Sequence, residues 1–314
     1  MTMQRYRMTT KIAFFLLFIF APLCDVFRFD LELGHFIIFG QAWTISIEPI
    51  LFGGGDSIDA AVKIFSRVLL PGIAFVVFSF ILIWRFGRIY CGWLCPHFSV
   101  VELLNDVMLK QLNRVTLWEK ASKKNAGLLP KIIVTLTAIF IAFIWAISLL
   151  SYLLNPVQLL NDLVTFQLGF GATIFITAAT IIFSIDFIFA RHLFCKYGCA
   201  LGLFQSLIWM ANPKAMVVKF DRKRAKACRE CSLSNENKPC DQACPMRLPT
   251  RNIKRAKFTC TQCAQCIAAC AQVQKNNPHG SLLTWVDGQA AKEVDRAAGT
   301  VKTSQQLIKS KTIT

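Results

Sequence analysis

Long apolar stretches without charge are the feature that most constrains this sequence. Four of them, at residues 8–24, 65–84, 132–154 and 166–185, are close to the length of about 20 residues that a helix needs to cross a bilayer. The chain is 54% hydrophobic and only 17% charged, which is more apolar than ordinary soluble domains. The sequence therefore predicts an α-helical membrane protein with four spans. The first stretch is short and contains Pro22, so a cleaved signal peptide is the alternative there.

The distribution of charge predicts the orientation of these spans. Basic residues dominate the N-terminus, residues 85–131 and the chain from Arg191 onward, whereas residues 25–66 are mostly acidic and 155–165 contain no Lys or Arg. Because basic loops stay in the cytoplasm, both termini are expected there. The net charge of +17 is also compatible with nucleic-acid binding, but no recognition motif accompanies it, so no nucleic-acid partner is expected. Membrane lipid is the expected partner of this charge.

The sequence indicates that the membrane part of the chain is a duplicated unit. Cys91 and Cys95 follow the second predicted span with CxxxC spacing, and Cys195 and Cys199 follow the fourth. The residues after Cys95 have apolar side chains at helical spacing, namely Phe98, Val101, Leu104, Met108, Leu112 and Val115. We therefore predict two repeated pairs of membrane helices, an arrangement that would bring the two cysteine pairs close together.

Composition divides the chain into three parts. Residues 1–211 are the predicted membrane domain, within which the apolar run 35–55 is interpreted as an interfacial or re-entrant piece. Residues 212–287 are polar and rich in cysteine, which predicts a separate domain. Residues 288–314 have little to bury, so a flexible tail or at most a frayed helix is expected.

The most specific motif is TCTQCAQCIAAC in the polar domain. Its cysteines follow C-x2-C-x2-C-x3-C, the ligand spacing of bacterial ferredoxins that bind [4Fe–4S] clusters. In this spacing the first three thiolates bind one cluster, whereas the fourth, Cys270, serves a second cluster. A second group of cysteines, stretched by the insert SLSNENKP, precedes this motif and ends in Cys244-Pro245.

Eight cysteines therefore divide into two predicted ligand sets. The first set is Cys228, Cys231, Cys240 and Cys270, and the second set is Cys244, Cys260, Cys263 and Cys266. Each is expected to hold one [4Fe–4S] cluster in a bacterial-type ferredoxin domain, which is an α+β fold. Structural zinc is the alternative, since zinc also takes four thiolates. Basic residues near these cysteines either offset the clusters' negative charge or form a solvated face: Lys226, Arg229, Arg247, Arg251, Lys254, Arg255 and Lys257.

The remaining cysteines suggest a further centre. Residues four apart on a helix share a face, so each CxxxC pair offers two ligands. The membrane-face set, Cys91, Cys95, Cys195 and Cys199, would suit a further Fe–S centre or copper, although free cysteines also pack as small hydrophobic residues. Cys24 has no partner and is expected to pack. His97 is a candidate metal ligand or quinone contact, and Asp186 is an ionisable residue near a membrane surface; both have purely structural alternatives.

The stretches RIYCGWLCP, LLNPV, GFG and CKYGC, together with the two ferredoxin runs, resemble the NapH-type membrane polyferredoxins. These are quinol dehydrogenase subunits, related to proteins of the MauN, NosR and CcoG/FixG types. The resemblance implies a multi-pass protein of the bacterial inner membrane with a cytoplasmic ferredoxin domain, which passes electrons between quinol and a redox partner protein. The alternative is a cupric reductase or metallo-oxidase assembly factor of the CcoG/FixG type. The sequence departs from the family pattern at Cys199-Ala200, where Cys-Pro is usual.

Overall fold

The computed structural model describes residues 2–44, 57–112, 127–228, 231 and 238–294, and these ranges are mainly helical. The helices are α1 (Thr2–Phe20), α2 (Ile58–Phe86), α3 (Ile89–Trp93), α4 (Pro96–Leu112), α5 (Leu128–Leu150), α6 (Pro156–Val164), α7 (Phe170–Ala190), α8 (Ala200–Ala211), α9 (Pro239–Gln242), α10 (Gln265–Val273) and α11 (288–294). The strands are β1 (Phe27–Asp30), β2 (His35–Ile38), β3 (Gln41–Trp43), β4 (Val217–Phe220) and β5 (Leu283–Val286).

Three helices in the described ranges, α2, α5 and α7, are long and apolar enough to cross a membrane. They coincide with the second, third and fourth predicted spans. Helix α1 covers most of the first predicted span, but it also includes Arg5, Arg7 and Lys11, which lower its mean hydropathy. The described chain is therefore a helical protein with three candidate spans, and a fourth span stays a prediction.

The chain forms two compact units. One, the cysteine unit, consists of residues 1–11, 79–95 and 192–314; the other, the helical unit, consists of residues 12–78 and 96–191. The cysteine unit contains twelve of the thirteen cysteines, all except Cys24. The two units do not divide the chain at residue 211, the domain boundary that the sequence predicts. Residues 79–95 and 192–211, which include both CxxxC pairs, belong to the same unit as the polar domain.

The helical unit has its apolar core around Trp145 of α5. Val100 and Leu104 of α4 and Phe187 of α7 are buried in this cluster. The predicted buried face of α4 is confirmed, since Phe98, Val101, Leu104, Met108 and Leu112 are all buried, and Val115 lies outside the described residues. The run predicted to be interfacial starts with strands β2 and β3, which form a three-stranded antiparallel sheet with β1; its residues 45–55 lie outside the described ranges.

In the cysteine unit, β4 and β5 pair antiparallel, with Val217 opposite Val286. The cysteine-rich segment lies between these strands in sequence, so the pairing closes it into a small α+β fold. Helix α11 forms the start of the predicted tail, and its Ala291 is buried against Trp209 because an alanine is small enough to fit that contact. This part of the tail is therefore packed, and residues 295–314 lie outside the described chain.

The end of α2 is fixed to the segment that follows α8. Asn212 Nδ2 donates a hydrogen bond to the Trp84 carbonyl, and the Met216 amide donates to the Arg85 carbonyl. Gly87 has a φ of +67°, and a Cβ there would lie 2.6 Å from Trp209 Cδ1. Glycine is thus needed both for the backbone conformation and for the close approach, which sets the direction of α3.

Candidate metal centres

All four cysteines of the first set line one cavity. Three different elements supply Cys228, Cys240 and Cys270: a 3₁₀ turn, α9 and α10. N–H donors lie near three of these sulfurs. Gln274 Nε2 donates to Cys231 Sγ at 2.9 Å, the Leu282 amide donates to Cys270 Sγ at 3.3 Å, and Arg251 Nη1 lies 3.9 Å from Cys228 Sγ.

All four cysteines of the second set line a separate cavity. The loop that carries Cys260 and Cys263 is tight, because Gln262 and Ala264 adopt left-handed backbone conformations with φ of 54° and 57°. Helix α10 begins at Gln265, so Cys266 lies in its first turn. The Leu248 amide donates to Cys244 Sγ at 3.4 Å. The structure thus groups the eight cysteines as the sequence pairs them, while ligation itself stays a prediction.

The chemistry of these thiols suits a metal cluster. Burial raises the pKa of Cys244 to about 12 and also raises the pKa values of Cys260 and Cys266. Such thiols ionise when a bound cation compensates the thiolate charge, as iron does. Among the described residues, no three His, Cys, Asp or Glu side chains converge on a single metal ion. The four thiols of each set surround a cavity instead, and a [4Fe–4S] cluster takes four separate thiolates.

Two of the predicted basic residues, Lys254 and Lys257, are buried within the cysteine unit. Lys257 lines the cavity of the second set, donates to the Val218 carbonyl and interacts electrostatically with Cys260 and Cys266. Lys254 donates to the Trp209 carbonyl at 2.9 Å and lies 4.8 Å from the centre of the Trp209 ring. Both side chains are inside the fold, so for them the interpretation as a solvated face is wrong.

The structure also brings the membrane-face set together. Cys91 lies on α3, and Cys195 lies in a π turn at Phe194–Gly198. Burial raises the pKa of Cys195, and the neighbouring thiols of Cys95, Cys91 and Cys199 raise it further. Cys91 Sγ donates to Gln205 Oε1 at 3.3 Å, and the Gly202 amide donates to Cys199 Sγ at 3.4 Å.

Arg88 is a site residue that the sequence analysis missed, since it was interpreted only as part of a basic loop. Its side chain is 1% exposed, and its Nη2 donates to the Cys195 carbonyl at 2.9 Å. Burial raises the pKa of Cys91, and the Arg88 guanidinium opposes that effect. A Cβ on Gly202 would lie 2.3 Å from Arg88 Nη2, so a larger residue at position 202 would displace the guanidinium from its present position. The sequence offered one signal for this role, namely that Arg88 lies three residues before Cys91.

Helix α3 rests directly on the loop of the second set. A Cβ on Gly92 would lie 2.2 Å from the Thr261 carbonyl oxygen and 3.2 Å from Cys263 Cα. Trp93 Nε1 donates to the Gln262 carbonyl at 3.1 Å, and Arg88 Nη1 donates to the Thr259 carbonyl at 3.4 Å. The second set is therefore in contact, through its loop, with the helix that carries Cys91.

The weaker candidates lie in the helical unit. His97 Nε2 is 3.4 Å from Asp186 Oδ2, and the imidazole packs 5.6 Å from the Phe187 ring. Burial lowers the pKa of His97 to about 4, so the ring is neutral at physiological pH rather than a charged surface group. A role for this pair with quinone stays a prediction. Cys24 is exposed, so the expectation that it packs in the interior is wrong.

Comparison with known proteins identifies a 4Fe-4S binding domain. The family model of that description matches residues 68–114 and 170–224. Each matched stretch contains most of a candidate span, one CxxxC pair and the helix that follows it. The cysteines from Cys228 onward lie outside both stretches.

Proteins of similar sequence agree with this match. The chain is 24% identical to YccM of Escherichia coli, whose name provisionally assigns it to electron transport, over 71% of the chain and 57% of that protein. It is 26% identical to the methylamine utilization ferredoxin-type protein MauN of Methylorubrum extorquens, over 52% of the chain and 51% of the relative. It is 27% identical to the ferredoxin-type protein NapH of Haemophilus influenzae, over 59% of the chain and 60% of the relative. The chain thus spans little more than half the length of these relatives, and no solved structure matches it.

Proposed function

We propose that this chain, which matches a 4Fe-4S binding domain and is similar to the ferredoxin-type proteins NapH and MauN, passes electrons between the quinol pool and a redox partner protein. One observation carries this proposal: the membrane-face set and both ferredoxin sets lie in one compact unit, with Gly92 against the loop of the second set. Oxidation of one quinol releases two electrons and two protons, and the redox partner is the electron acceptor in that direction.

Each ferredoxin set would hold one [4Fe–4S] cluster, which supplies a one-electron redox centre when bound. The chain's own residues provide the thiolates, the N–H donors to sulfur and the buried cations. Asp241 accepts hydrogen bonds from Thr250 Oγ1 at 2.6 Å and Arg251 Nη2 at 2.8 Å, which fixes the guanidinium beside Cys228. These contacts orient the ligands and stabilise negative charge at the first set.

The membrane-face set would hold a third redox centre, either Fe–S or copper. An Fe–S centre is favoured because the family model described as a 4Fe-4S binding domain covers both CxxxC pairs. Copper would favour the alternative function, that of a cupric reductase or metallo-oxidase assembly factor, since thiolates also select Cu(I). Arg88 would compensate the charge of the thiolates in either case, because it is buried between Cys195 and the loop of the second set.

We also propose that the protein crosses the bacterial inner membrane four times, with both termini in the cytoplasm. Support comes from residues 1–11, which belong to the same compact unit as the C-terminal part of the chain. Gln4 Nε2 donates to the Cys263 carbonyl at 3.1 Å, so the start of the chain lies on the ferredoxin side.

Fusions to alkaline phosphatase, which is active only outside the cytoplasm, test this topology. A fusion after Gln158 should be active, whereas fusions after Leu112 and Asp287 should be inactive; the opposite pattern would invert the topology.

The functional proposal is tested by metal content and quinol oxidation together. Full-length protein purified without oxygen should reduce a soluble one-electron dye when it is given a water-soluble ubiquinol or menaquinol analogue. The double variant C91S/C195S removes two proposed ligands, so it should lower that activity by at least about 100-fold, the upper end of the effect of changing a residue that only supports a metal ligand. It should also lose iron while both ferredoxin clusters remain.

The control for this experiment is Cys24→Ser, which changes an exposed cysteine outside the cysteine unit and should alter neither property. If the double variant instead loses copper, and the unaltered protein reduces Cu(II) but not the dye, the cupric reductase is correct. Full activity and unchanged metal content in C91S/C195S would remove the membrane-face set from the mechanism.

A further inference from the structure

A basic cleft lies beside the cavity of the first set. Among the residues that line the cleft, five are cations and two are carboxylates: Lys219, Arg222, Lys223, Arg224, Arg251, Asp221 and Glu293. Phe220, Arg251 and Leu282 line both the cleft and the cavity of the first set. The two spaces therefore share a wall that is one side chain thick.

The positive charge of the cleft is only partly neutralised within the chain. Arg224 Nε lies 2.7 Å from Asp221 Oδ2, and Arg251 Nη2 lies 2.8 Å from Asp241 Oδ2, so these two cations have carboxylate partners. Arg222 and Lys223 are exposed, and neither forms an ion pair with any residue in the part of the chain that the structure describes. They are thus available to a negatively charged partner.

The turn that carries these two residues is held in place. The Lys223 amide donates to Asp221 Oδ1 at 3.1 Å, directly after β4 ends. Arg224 donates to the carbonyls of His279 and Ser281 at 3.0 and 3.1 Å, which ties the turn to the segment before β5. A docking surface with a fixed backbone loses less conformational entropy on binding than a mobile one.

We propose that this cleft is the docking site for an acidic electron-carrier protein that exchanges electrons with the centre held by the first set. The proposal rests on the proposed function, because it requires a redox centre at that set. Charge complementarity identifies the partner: exposed cations attract a carboxylate-rich surface and accelerate encounter. Arg251 Nη1 lies 3.9 Å from Cys228 Sγ, so a protein seated against Arg251 is one side chain from a cluster ligand. The reaction moves one electron from the reduced centre to the oxidised carrier, with no bond made or broken.

The alternative is an ordinary solvated basic face, and opposite-charge probes distinguish the two. Full-length protein in detergent is reduced anaerobically with dithionite, freed of excess reductant and mixed with oxidised plastocyanin, which is acidic, or oxidised cytochrome c, which is basic. We expect the plastocyanin rate to fall about tenfold as salt screens the charges, whereas the cytochrome c rate should not fall.

The variant R222Q/K223Q should slow plastocyanin reduction about fivefold or more at low salt, because it removes two cations from the cleft. Its matched control is K214Q/K275Q, which changes the net charge equally at two exposed lysines that do not line the cleft. Both variants should keep the visible absorption of the unaltered protein.

The outcomes separate the two proposals. Equal plastocyanin rates for R222Q/K223Q and K214Q/K275Q would overturn the docking site while leaving electron transfer intact. If the dithionite-treated protein reduces neither probe, both the proposed function and the docking site are wrong.

Discussion

Replacing Gly92 with alanine is expected to remove the cluster of the second set while leaving the cluster of the first set in place. The new Cβ would lie 2.2 Å from the Thr261 carbonyl oxygen, a backbone atom that cannot rotate away. The loop must therefore shift, and that loop carries Cys260 and Cys263. Because each [4Fe–4S] cluster contains four irons, the anaerobically purified variant should contain about four fewer iron atoms per chain.

Gly171→Ala is the matched control, because a Cβ at Gly171 would meet nothing within 4 Å. Its iron content and its visible spectrum should equal those of the unaltered protein. A Gly92→Ala protein that retains all its iron would show that α3 and the loop of the second set are not in contact.

The second prediction concerns which cysteines act together. Cys270 belongs to the TCTQCAQCIAAC run but lines the cavity of the first set with Cys240. Loss of any one ligand is expected to destroy the whole cluster. The double variant C240S/C270S should therefore lose no more iron than either single variant, about four atoms per chain. By contrast, C260S/C270S should lose about eight, because it disrupts both clusters. Iron and acid-labile sulfide, measured on matched anaerobic preparations, provide the count.

Cys24→Ser again serves as the control and should lose no iron. Equal iron losses in C240S/C270S and C260S/C270S would contradict the grouping of ligands. Each single ligand variant should also unfold at a lower temperature than the control, because metal binding contributes directly to folding stability. Loss of zinc in place of iron would support the alternative of structural zinc.

The grouping of the cysteines could be predicted because it depends on local spacing. Three cysteines two residues apart form one short loop, and Cys270, one helical turn after Cys266, is directed to the other cavity. The buried face of α4 was predictable for the same reason, since its apolar residues repeat at helical spacing over a single segment.

Contacts between distant segments could not be predicted from spacing. Arg88 binds the carbonyls of Cys195 and Thr259, which lie 107 and 171 residues away in sequence. The sequence alone does not show why residue 92 is a glycine. The reason is its close contact with the Thr261 carbonyl, which leaves no room for a Cβ. Lys254 and Lys257 look like surface residues of a basic segment, but backbone carbonyls accept their hydrogen bonds inside the fold. These long-range contacts set the charge around the thiols, and an isolated stretch of sequence does not contain them.

The central claim is that two four-iron clusters organise the polar C-terminal part of the chain. Mössbauer spectroscopy of ⁵⁷Fe-enriched, anaerobically purified protein, combined with iron, sulfide and zinc analysis, tests it most directly. We predict at least about eight irons and eight sulfides per chain in [4Fe–4S] spectra, and about four more of each if the membrane-face set also binds a cluster. Stoichiometric zinc without sulfide, or a colourless iron-free protein, would contradict the account.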